Sequence, residues 1–405
     1  MLLEFTFKNL YSYKDESYFS MEAAKGTKIM NEFPKMNGHR ILKNAIVFGS
    51  NASGKSNLIK SLKLMSQIIS LLWNNTDLLS FPSFASTDEP VKLSATFFKE
   101  KLIYRYAFSY TPKEIISETL EIESEGKFEI HFERSGNEYL LIPDDLKILI
   151  DKTPKNSLFL GVAKTFNDTH SLNVFKWFQQ DLVYLDTNIE YHYSRMGFEP
   201  LKNEKHKHAV LKFMRAADVS IEDIMLVEEK YKRVIDEKFL EFSEEQRLRL
   251  LLKHRQYDKK GKRLLDFTLD FSQESEGTQK LLYLASAILF NENKTILIDE
   301  FDRSLHLELS QALLGLFNSP ESNNQFIIAT HQLNLMDFEF KKEQIYFVER
   351  KNDGVSDLYS AYDFATETNR KDYSYLKRYM NGQFGAIPIV LLDTLKDTVK
   401  EVREK

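Results

Sequence analysis

An eight-residue loop between an apolar run and an amphipathic run constrains this chain most. It matches the pattern G-x-x-x-x-G-K-[ST], and its residues are Gly49, Ser50, Asn51, Ala52, Ser53, Gly54, Lys55 and Ser56. Glycines let the backbone amides wrap around phosphate oxygens, and the N-terminus of a following helix adds positive potential. The flanks predict a buried strand over 44–48 and a helix over 55–72, because apolar residues recur at helical spacing there.

A Gly/Ser turn followed by a surface lysine is the alternative interpretation of this loop, and the two flanking elements favour a nucleotide site over it. In such a site Lys55 reaches the β- and γ-phosphates, and Ser56 places its hydroxyl on Mg²⁺. The sequence therefore predicts that the chain binds ATP with Mg²⁺.

Two carboxylates follow a second apolar strand, predicted over 295–298. Ligands bind at the carboxyl ends of strands in open α/β sheets, and Asp299 and Glu300 lie at such an end. We expect Asp299 to hold Mg²⁺ and Glu300 to polarise the attacking water. One strand further, after 325–329, His331 is placed to contact a γ-phosphate. A helix-capping acidic pair and a structural histidine are the alternatives.

A polar turn directly before an apolar helix is a second anion site. It resembles the signature loop of ABC-type ATPases, with Glu276 in place of the first glycine of L-S-G-G-Q, and its residues are Ser275, Glu276, Gly277 and Thr278. A segment after the acidic strand matches the D-loop of the same superfamily through Asp302, Ser304 and His306.

Together these motifs resemble the SMC/RecF/OLD branch of ABC ATPases, to which the opening segment 5–12 is also similar. The chain looks most like bacterial phage-defence ATPases of the RloA/AbiL type and the AriA protein of PARIS systems. Those proteins share E-S-E-G-T, D-E-x-D-x-S-L-H and a tail like the one over 379–388. The resemblance covers both ends of the chain and is weak between about 135 and 260.

This resemblance implies the fold, the assembly and the partners. The fold would be α/β, an ABC-type P-loop ATPase head with an antiparallel β subdomain and a helical insertion. The assembly would be a head-to-tail dimer in which Ser275 and Gly277 act across the interface. The partners would be a separate effector, such as a Toprim-type nuclease, and DNA or a phage protein.

Composition excludes several other classes of protein. The chain of 405 residues has no cysteine, so disulfides, thiolate catalysis and cysteine-based metal sites are absent. Its 55 basic and 60 acidic residues give a net charge of −5, which argues against a generally basic nucleic-acid coat. It has neither a signal-peptide pattern nor an apolar run of about 20 residues, so we expect a cytoplasmic protein with no membrane partner.

The pattern along the chain predicts three parts. An N-terminal ATPase lobe over 1–135 includes β-like segments between 91 and 133. A mainly helical insertion follows over 136–263, and the C-terminal lobe spans 264–405. No long heptad run is present, so a short helical hairpin is expected in place of extended coiled-coil arms.

The insertion ends in a basic run that could grip a phosphate backbone or an acidic partner, or form a solvated hairpin. Its basic residues are Arg247, Arg249, Lys253, Arg255, Lys259, Lys260, Lys262 and Arg263. The R-x-x-x-x-H spacing of Arg249 and His254 is interpreted as coincidence, and His192, His206 and His208 as surface residues.

Four functions remain open at this point. The first is a nucleotide-switched ATPase sensor or scaffold in antiviral defence, and the second is a RecF-like ATPase in DNA repair or loading. The other two are a transporter subunit and a single-chain OLD-type nuclease. The degenerate signature disfavours the transporter, and the 74 residues after His331 contain no acidic cluster of the Toprim kind.

Overall fold

The computed structural model describes residues 1–24, 32–70, 79–185, 199–217, 219–236, 241–364, 374–386 and 392–403. The chain divides into two compact units. The loop unit, which carries the phosphate loop, comprises Leu2–Gln179 and Ala329–Lys405. The carboxylate unit, which carries the acidic strand end, comprises Met1 and Gln180–Ile328.

The described strands are β1 (Leu2–Lys8), β2 (Ser17–Ser20), β3 (Asn44–Gly49), β4 (Val91–Lys99), β5 (Leu102–Tyr110), β6 (Ile115–Ser124), β7 (Lys127–Ser135), β8 (Glu138–Leu141), β9 (Leu182–Leu185), β10 (Asp223–Asp236), β11 (Glu241–His254), β12 (Phe267–Asp270), β13 (Thr295–Ile298), β14 (Gln325–Ala329), β15 (Ile345–Arg350) and β16 (Ser356–Ser360). The described α-helices are α1 (Lys55–Ser70), α2 (Phe159–Thr165), α3 (Thr169–Lys176), α4 (Glu204–Ala216), α5 (Glu276–Leu289), α6 (Leu307–Asn318), α7 (Tyr375–Met380) and α8 (Leu392–Arg403).

A seven-stranded antiparallel sheet forms much of the loop unit. Its strand order is β2-β1-β4-β5-β6-β7-β8. Successive side chains of its strands point to opposite faces of the sheet, one buried and one partly exposed. In β1, Leu3, Phe5 and Phe7 are buried and the residues between them are partly exposed. The strands predicted at 91–133 are confirmed, and β1 pairs antiparallel with β2.

The phosphate loop runs from β3 into α1, as the sequence predicts. Every residue of β3 is buried, and the strand pairs in parallel with β15, which pairs antiparallel with β16. Helix α1 buries a stripe at helical spacing that includes Leu58, Leu62, Met65 and Ile69. These local patterns hold the loop at the carboxyl end of a buried strand.

Residues 144–180 are mainly helical, as predicted, and a buried ion pair fixes them to the sheet. The Glu118 carboxylate of β6 accepts the backbone amides of Phe159 and Leu160, which begin α2. It also lies 2.7 Å from Arg134 of β7, and both side chains are fully buried. Removing either partner would leave an uncompensated charge in the core.

A short parallel sheet organises the carboxylate unit. Strand β13 pairs in parallel with β14 on one side and with β9 on the other. All four residues of β13 are buried. The side chains of α5 that face the core include Leu281, Leu282 and Leu284, and α4 packs against this helix.

The prediction of helices throughout the insertion is wrong for its second half. Helix α4 is present, but β10 and β11 form a long antiparallel ladder from Asp223–Lys253 onwards, extended by β12. The Lys- and Glu-rich composition favours helix, whereas the buried Leu250 and Leu252 alternate with residues on the other face at the spacing of a strand. The expected helical hairpin is therefore a β-hairpin.

Beyond β16 the tail motif packs within the loop unit. The hydroxyl of Tyr379 donates to the carbonyl oxygen of Ala386, and the hydroxyl of Tyr359 donates to that of Phe384. The rings of Phe384 and Phe347 stack with centroids 4.8 Å apart. The last two residues of the motif, at 387 and 388, lie outside the described residues. None of the described helices has the length and apolar character needed to cross a membrane.

Candidate nucleotide site

The two glycines of the phosphate loop stand where the backbone leaves no room for a side chain. Gly54 has a φ of +120°, and a Cβ built there would lie 2.5 Å from the Ser356 hydroxyl and 2.9 Å from the Ser12 hydroxyl. A Cβ at Gly49 would collide with the carbonyl oxygen of Val348. The loop is therefore a tight cradle that only glycine permits at these positions.

Lys55 folds back over this cradle. Its ammonium group donates to the carbonyl oxygens of Gly49 at 2.8 Å and Ser50 at 2.9 Å. The same Nζ lies 3.5 Å from Nδ1 of His331, and Lys55 is only 5% exposed. The structure thus places His331, predicted from its position after β14, beside the loop lysine. The amide of the preceding Thr330 donates to the carbonyl oxygen of Val47 in β3, which anchors this arrangement.

Three hydroxyl groups from distant parts of the sequence form hydrogen bonds that support the backbone of the loop. The hydroxyl of Ser356 in β16 donates to the carbonyl oxygen of Ser53 at 2.5 Å, and the same Oγ is hydrogen-bonded to the Ser12 hydroxyl at 2.7 Å. The buried Tyr13 hydroxyl donates to the carbonyl oxygen of Gly54 at 3.0 Å, and burial raises the pKa of that phenol, so it stays protonated. Motif spacing does not show these contacts, although Ser12 ends the similar opening segment.

The loop residues fit a phosphate group and a Mg²⁺ ion. The Ser53 hydroxyl is buried inside the cradle with no hydrogen-bond partner among the described residues. Ser56 stands in the first turn of α1, where its hydroxyl could provide an oxygen to Mg²⁺. Among the described residues, no group of three or more His, Asp or Glu side chains could hold a metal ion.

In the carboxylate unit, β13 ends in a strained turn that carries both predicted carboxylates. Asp299 is largely buried, and one of its carboxylate oxygens accepts the amide of Glu300 at 3.0 Å. Glu300 has a φ of +47°, a left-handed conformation that is uncommon for a non-glycine residue. Its side chain is 38% exposed and pairs with Arg303 at 3.2 Å. Strain of this kind clusters at functional sites.

The predicted signature turn begins helix α5. Ser275 caps the helix, because its hydroxyl accepts the amide of Thr278 at 3.2 Å. Gly277 lies so close to the D-loop that a Cβ there would be 2.8 Å from the carbonyl oxygen of Ser304. The Ser304 hydroxyl donates to the Glu276 carboxylate at 3.0 Å. Glu276, which replaces the usual glycine, thus binds the signature turn to the D-loop.

The rest of the D-loop continues this turn. Ser304 also has a positive φ, of 62°, and the amide of Leu305 donates to the carbonyl oxygen of Asp302 at 3.1 Å. His306 occupies the N-cap position of α6 without a capping bond from its side chain. The predicted signature and D-loop residues are therefore brought together with Glu300 inside one unit.

Lys280 is a residue of this region to which sequence analysis assigns no role. It lies one turn into α5, and its ammonium group donates to the carbonyl oxygen of Glu300. Burial lowers the pKa of Lys280 to about 8, against the raising effect of the Asp302 and Glu300 carboxylates. In the sequence, Lys280 differs from other lysines only in that it directly precedes a long apolar run.

Four of the eight basic residues of the basic run pair with carboxylates of the same unit. Arg249 lies 2.8 Å from Asp270, Lys253 lies 3.2 Å from Asp266, Arg255 lies 2.6 Å from Glu222, and Arg263 lies 3.1 Å from Asp266. His254 lies 2.6 Å from Glu274. The exposed Lys259, Lys260 and Lys262 occupy a short turn after β11, and the side chain of Arg247 lies outside the described residues.

The sequence from residue 45 to residue 337 matches the family described as "AAA domain, putative AbiEii toxin, Type IV TA system". The chain belongs to this family. The match includes the phosphate loop, the signature turn, the acidic strand end and His331. A comparison with curated proteins gives no significant match.

Three solved structures of SMC heads are similar to the AAA-domain chain. One SMC head, bound to the C-terminal winged-helix domain of ScpA, is 15% identical with a TM-score of 0.42, covering 91% of this chain and 98% of that one. The SMC head domain of Thermotoga maritima is 14% identical with a TM-score of 0.38, covering 89% and 98%. The head from Pyrococcus furiosus, with an extended coiled coil and the C-terminal domain of ScpA, is 13% identical with a TM-score of 0.44, covering 89% and 96%. The predicted class of fold, a mixed α/β P-loop ATPase head, is confirmed.

Proposed function

We propose that this AAA-domain protein binds and hydrolyses ATP with Mg²⁺. The observation that carries the proposal is the position of Lys55, whose ammonium group lies on the loop carbonyls beside His331. An ammonium group held there can transfer its hydrogen bonds to phosphate oxygens, because the loop backbone is already folded around it.

Each proposed residue has a distinct task in hydrolysis. Lys55 and the loop amides bind the phosphates, while Ser56 and Asp299 provide the oxygens that hold Mg²⁺. When bound, Mg²⁺ neutralises charge that develops on the phosphate oxygens. Glu300 orients the attacking water and accepts its proton, and His331 donates a hydrogen bond to the γ-phosphate.

The biological role we propose is a nucleotide-switched sensor or scaffold in bacterial defence against phages. In this role the chain forms a head-to-tail dimer with ATP and controls a separate effector, such as a Toprim-type nuclease. The family description names a toxin of a type IV system, which supports a role in controlling a toxic activity. Nucleotide-dependent ordering of loops is a general way to switch such an assembly.

A Glu300→Gln variant tests the enzymatic proposal. The amide keeps the size of the side chain but cannot accept a proton, so hydrolysis should fall by at least about a hundredfold while ATP still binds. Glu292→Gln is the matched control, because Glu292 is an exposed glutamate in the loop before β13. Hydrolysis by Glu300→Gln at the parental rate would disprove the assignment of the catalytic carboxylate.

Mass photometry of the Glu300→Gln protein tests the assembly. With ATP and Mg²⁺ we expect a dimer or a larger species, since the bound nucleotide is not consumed. Adding the product of the neighbouring gene should then give a heavier complex. A monomer under all conditions would contradict the sensor role and would leave an ATPase of the RecF kind, testable by salt-dependent DNA binding.

A further inference from the structure

The acidic turn carries a conformation that needs support. Glu300, the second residue after the end of strand β13, adopts a positive φ of 47°. Such a conformation is unfavourable for a residue with a Cβ, so the turn persists only if neighbouring groups hold it. The carbonyl oxygen of Glu300 is where that support is concentrated.

Two donors converge on this carbonyl oxygen. One is the amide of Arg303, at 3.0 Å, which closes the turn from within. The other is the ammonium group of Lys280, which reaches it from helix α5. The amide contact is local to the turn, whereas Lys280 connects the turn to a different element.

Helix α5 is also the element that begins with the signature turn. Within the same unit, Glu276 accepts a hydrogen bond from Ser304, and Gly277 approaches the backbone of Ser304 too closely for any side chain. Lys280 adds a third contact at the opposite end of the turn, at Glu300. The signature turn and the acidic turn are thus joined at both ends of the 300–304 segment.

We propose that Lys280 is a positioning residue, which holds the backbone of Glu300 so that the carboxylate points in the direction required for hydrolysis. The inference rests on the proposed function of Glu300 and extends it to a residue that does not touch the nucleotide. The ammonium group acts as a hydrogen-bond donor and takes no part in proton transfer. Its effect falls on the rate of hydrolysis and leaves the binding of ATP by the loop unit unchanged.

The test compares Lys280→Met, Lys280→Arg and the control Lys294→Met. Methionine keeps an unbranched side chain but removes the donor, and arginine retains donors of similar reach. Lys294 pairs with Asp181 just before β13 begins, so it is a partly buried lysine at the other end of the same strand. Two quantities are measured, namely the kinetics of ATP hydrolysis and the hydrogen exchange of the peptide that covers 299–306.

Lys280→Met should lower kcat about ten- to hundredfold, the range expected when a catalytic group is misplaced. The Kd for ATP should stay within about twofold, as expected when only transition-state stabilisation is lost. Hydrogen exchange of 299–306 should become about threefold faster or more, because local opening of the turn is easier. In Lys280→Arg, kcat and the hydrogen exchange of 299–306 should both stay close to the parental values. Lys294→Met should change neither of them.

Two sets of results overturn the inference in distinguishable ways. If the parental protein is active and Lys280→Met has the same kcat, or the same hydrogen exchange over 299–306, the role of Lys280 is refuted. The proposed ATPase function is then unaffected. An equal loss in Lys280→Arg and Lys280→Met, accompanied by a lower Tm, assigns Lys280 to general stability and also refutes it. If the parental protein and Glu300→Gln both fail to hydrolyse ATP, the proposed function falls, and the inference falls with it.

Discussion

The phosphate loop and the acidic turn are held in place by different kinds of interaction. In the loop unit, two glycines and the uncharged hydroxyls of Ser12, Tyr13 and Ser356 shape the backbone. In the carboxylate unit, charged side chains on both sides of the turn hold Glu300. Steric fit and buried neutral hydrogen bonds respond little to salt, whereas exposed ion pairs are screened by it. The difference teaches that close packing shapes the phosphate loop, whereas charged side chains hold the acidic turn.

The largest effect should come from Lys55→Ala, which removes the charge that contacts the phosphates. ATP binding should weaken by at least about a hundredfold, since charge-assisted hydrogen bonds of several kcal/mol are lost. Isothermal titration calorimetry measures this change. Lys60→Ala on the exposed face of the same helix is the control and should bind ATP normally. Equal binding by both variants would contradict the assignment of the loop.

Gly54→Ala tests whether packing shapes the loop. A Cβ there meets two hydroxyl groups at 2.9 Å or less and forces an alanine to a φ of +120°. We expect a loss of about 2–4 kcal/mol in stability, from strain and overpacking together. Gly126→Ala is the matched control, because Gly126 also has a positive φ but has open space around it. A Tm for Gly54→Ala no lower than that of the control would remove the packing argument.

Asp168→Asn tests how far the stability of the loop unit depends on a charged side chain away from the phosphate loop. Burial alone would raise the pKa of Asp168, but hydrogen bonds from His131 and Ser171 lower it to about 2. A depressed pKa means that this carboxylate stabilises the fold above about pH 4 and loses that effect as the pH falls through about 2. The variant should be less stable than the parent at pH 7 and should show less destabilisation between pH 4 and pH 2. Parallel acid-unfolding curves for the two proteins would contradict this.

Tyr13→Phe and Ser356→Ala each remove one hydroxyl that supports the loop. Each should weaken ATP binding by about 0.5–1.5 kcal/mol, the usual net contribution of a hydrogen bond. The effect should be the same at low and high salt, because neither group is charged. Tyr18→Phe, which removes an exposed hydroxyl on β2, serves as the control. If the loss of ATP binding in Tyr13→Phe depended strongly on salt, the contrast between the uncharged support of the loop and the charged support of the acidic turn would be wrong.

Arg303→Met should have the smallest effect. Its guanidinium is 53% exposed and lies 3.2 Å from the Glu300 carboxylate. An exposed pair contributes at most about 1 kcal/mol, so kcat should change by no more than about fivefold. The difference from the parent should shrink as KCl is raised, unlike that of Tyr13→Phe. A salt-independent difference would show that Arg303 acts by packing.

The elements that sequence analysis predicts well are those whose signal is local. The phosphate loop depends on eight consecutive residues, and β1, β4, β5, β6 and β7 follow the alternation of their own side chains. Both kinds of signal are complete within one element. The order of the strands and the edge at which they end point to His331 near the phosphate loop, and the structure has it 3.5 Å from Lys55. Its contact with a γ-phosphate stays a prediction.

The insertion shows why the remaining predictions fail. Strands β10 and β11 are rich in residues that favour helix, and their pairing with each other and with β12 provides the hydrogen bonds that make them strands. The sequence likewise suggests that the basic run is unpaired. In the structure Arg249 pairs with Asp270 at the end of β12, and Lys253 pairs with Asp266 directly before that strand. Propensity and charge are properties of single residues, and pairing is not.

The sequence by itself determined the phosphate loop, its flanking strand and helix, and the acidic strand end. Tertiary structure alone decided that Ser356 supports the loop, that Lys280 holds Glu300 and that the insertion is a hairpin. The physical reason is the range of the interactions. A glycine-rich loop is dictated by the conformations its own residues allow, whereas a hydrogen bond between distant segments exists only after the chain has folded them together.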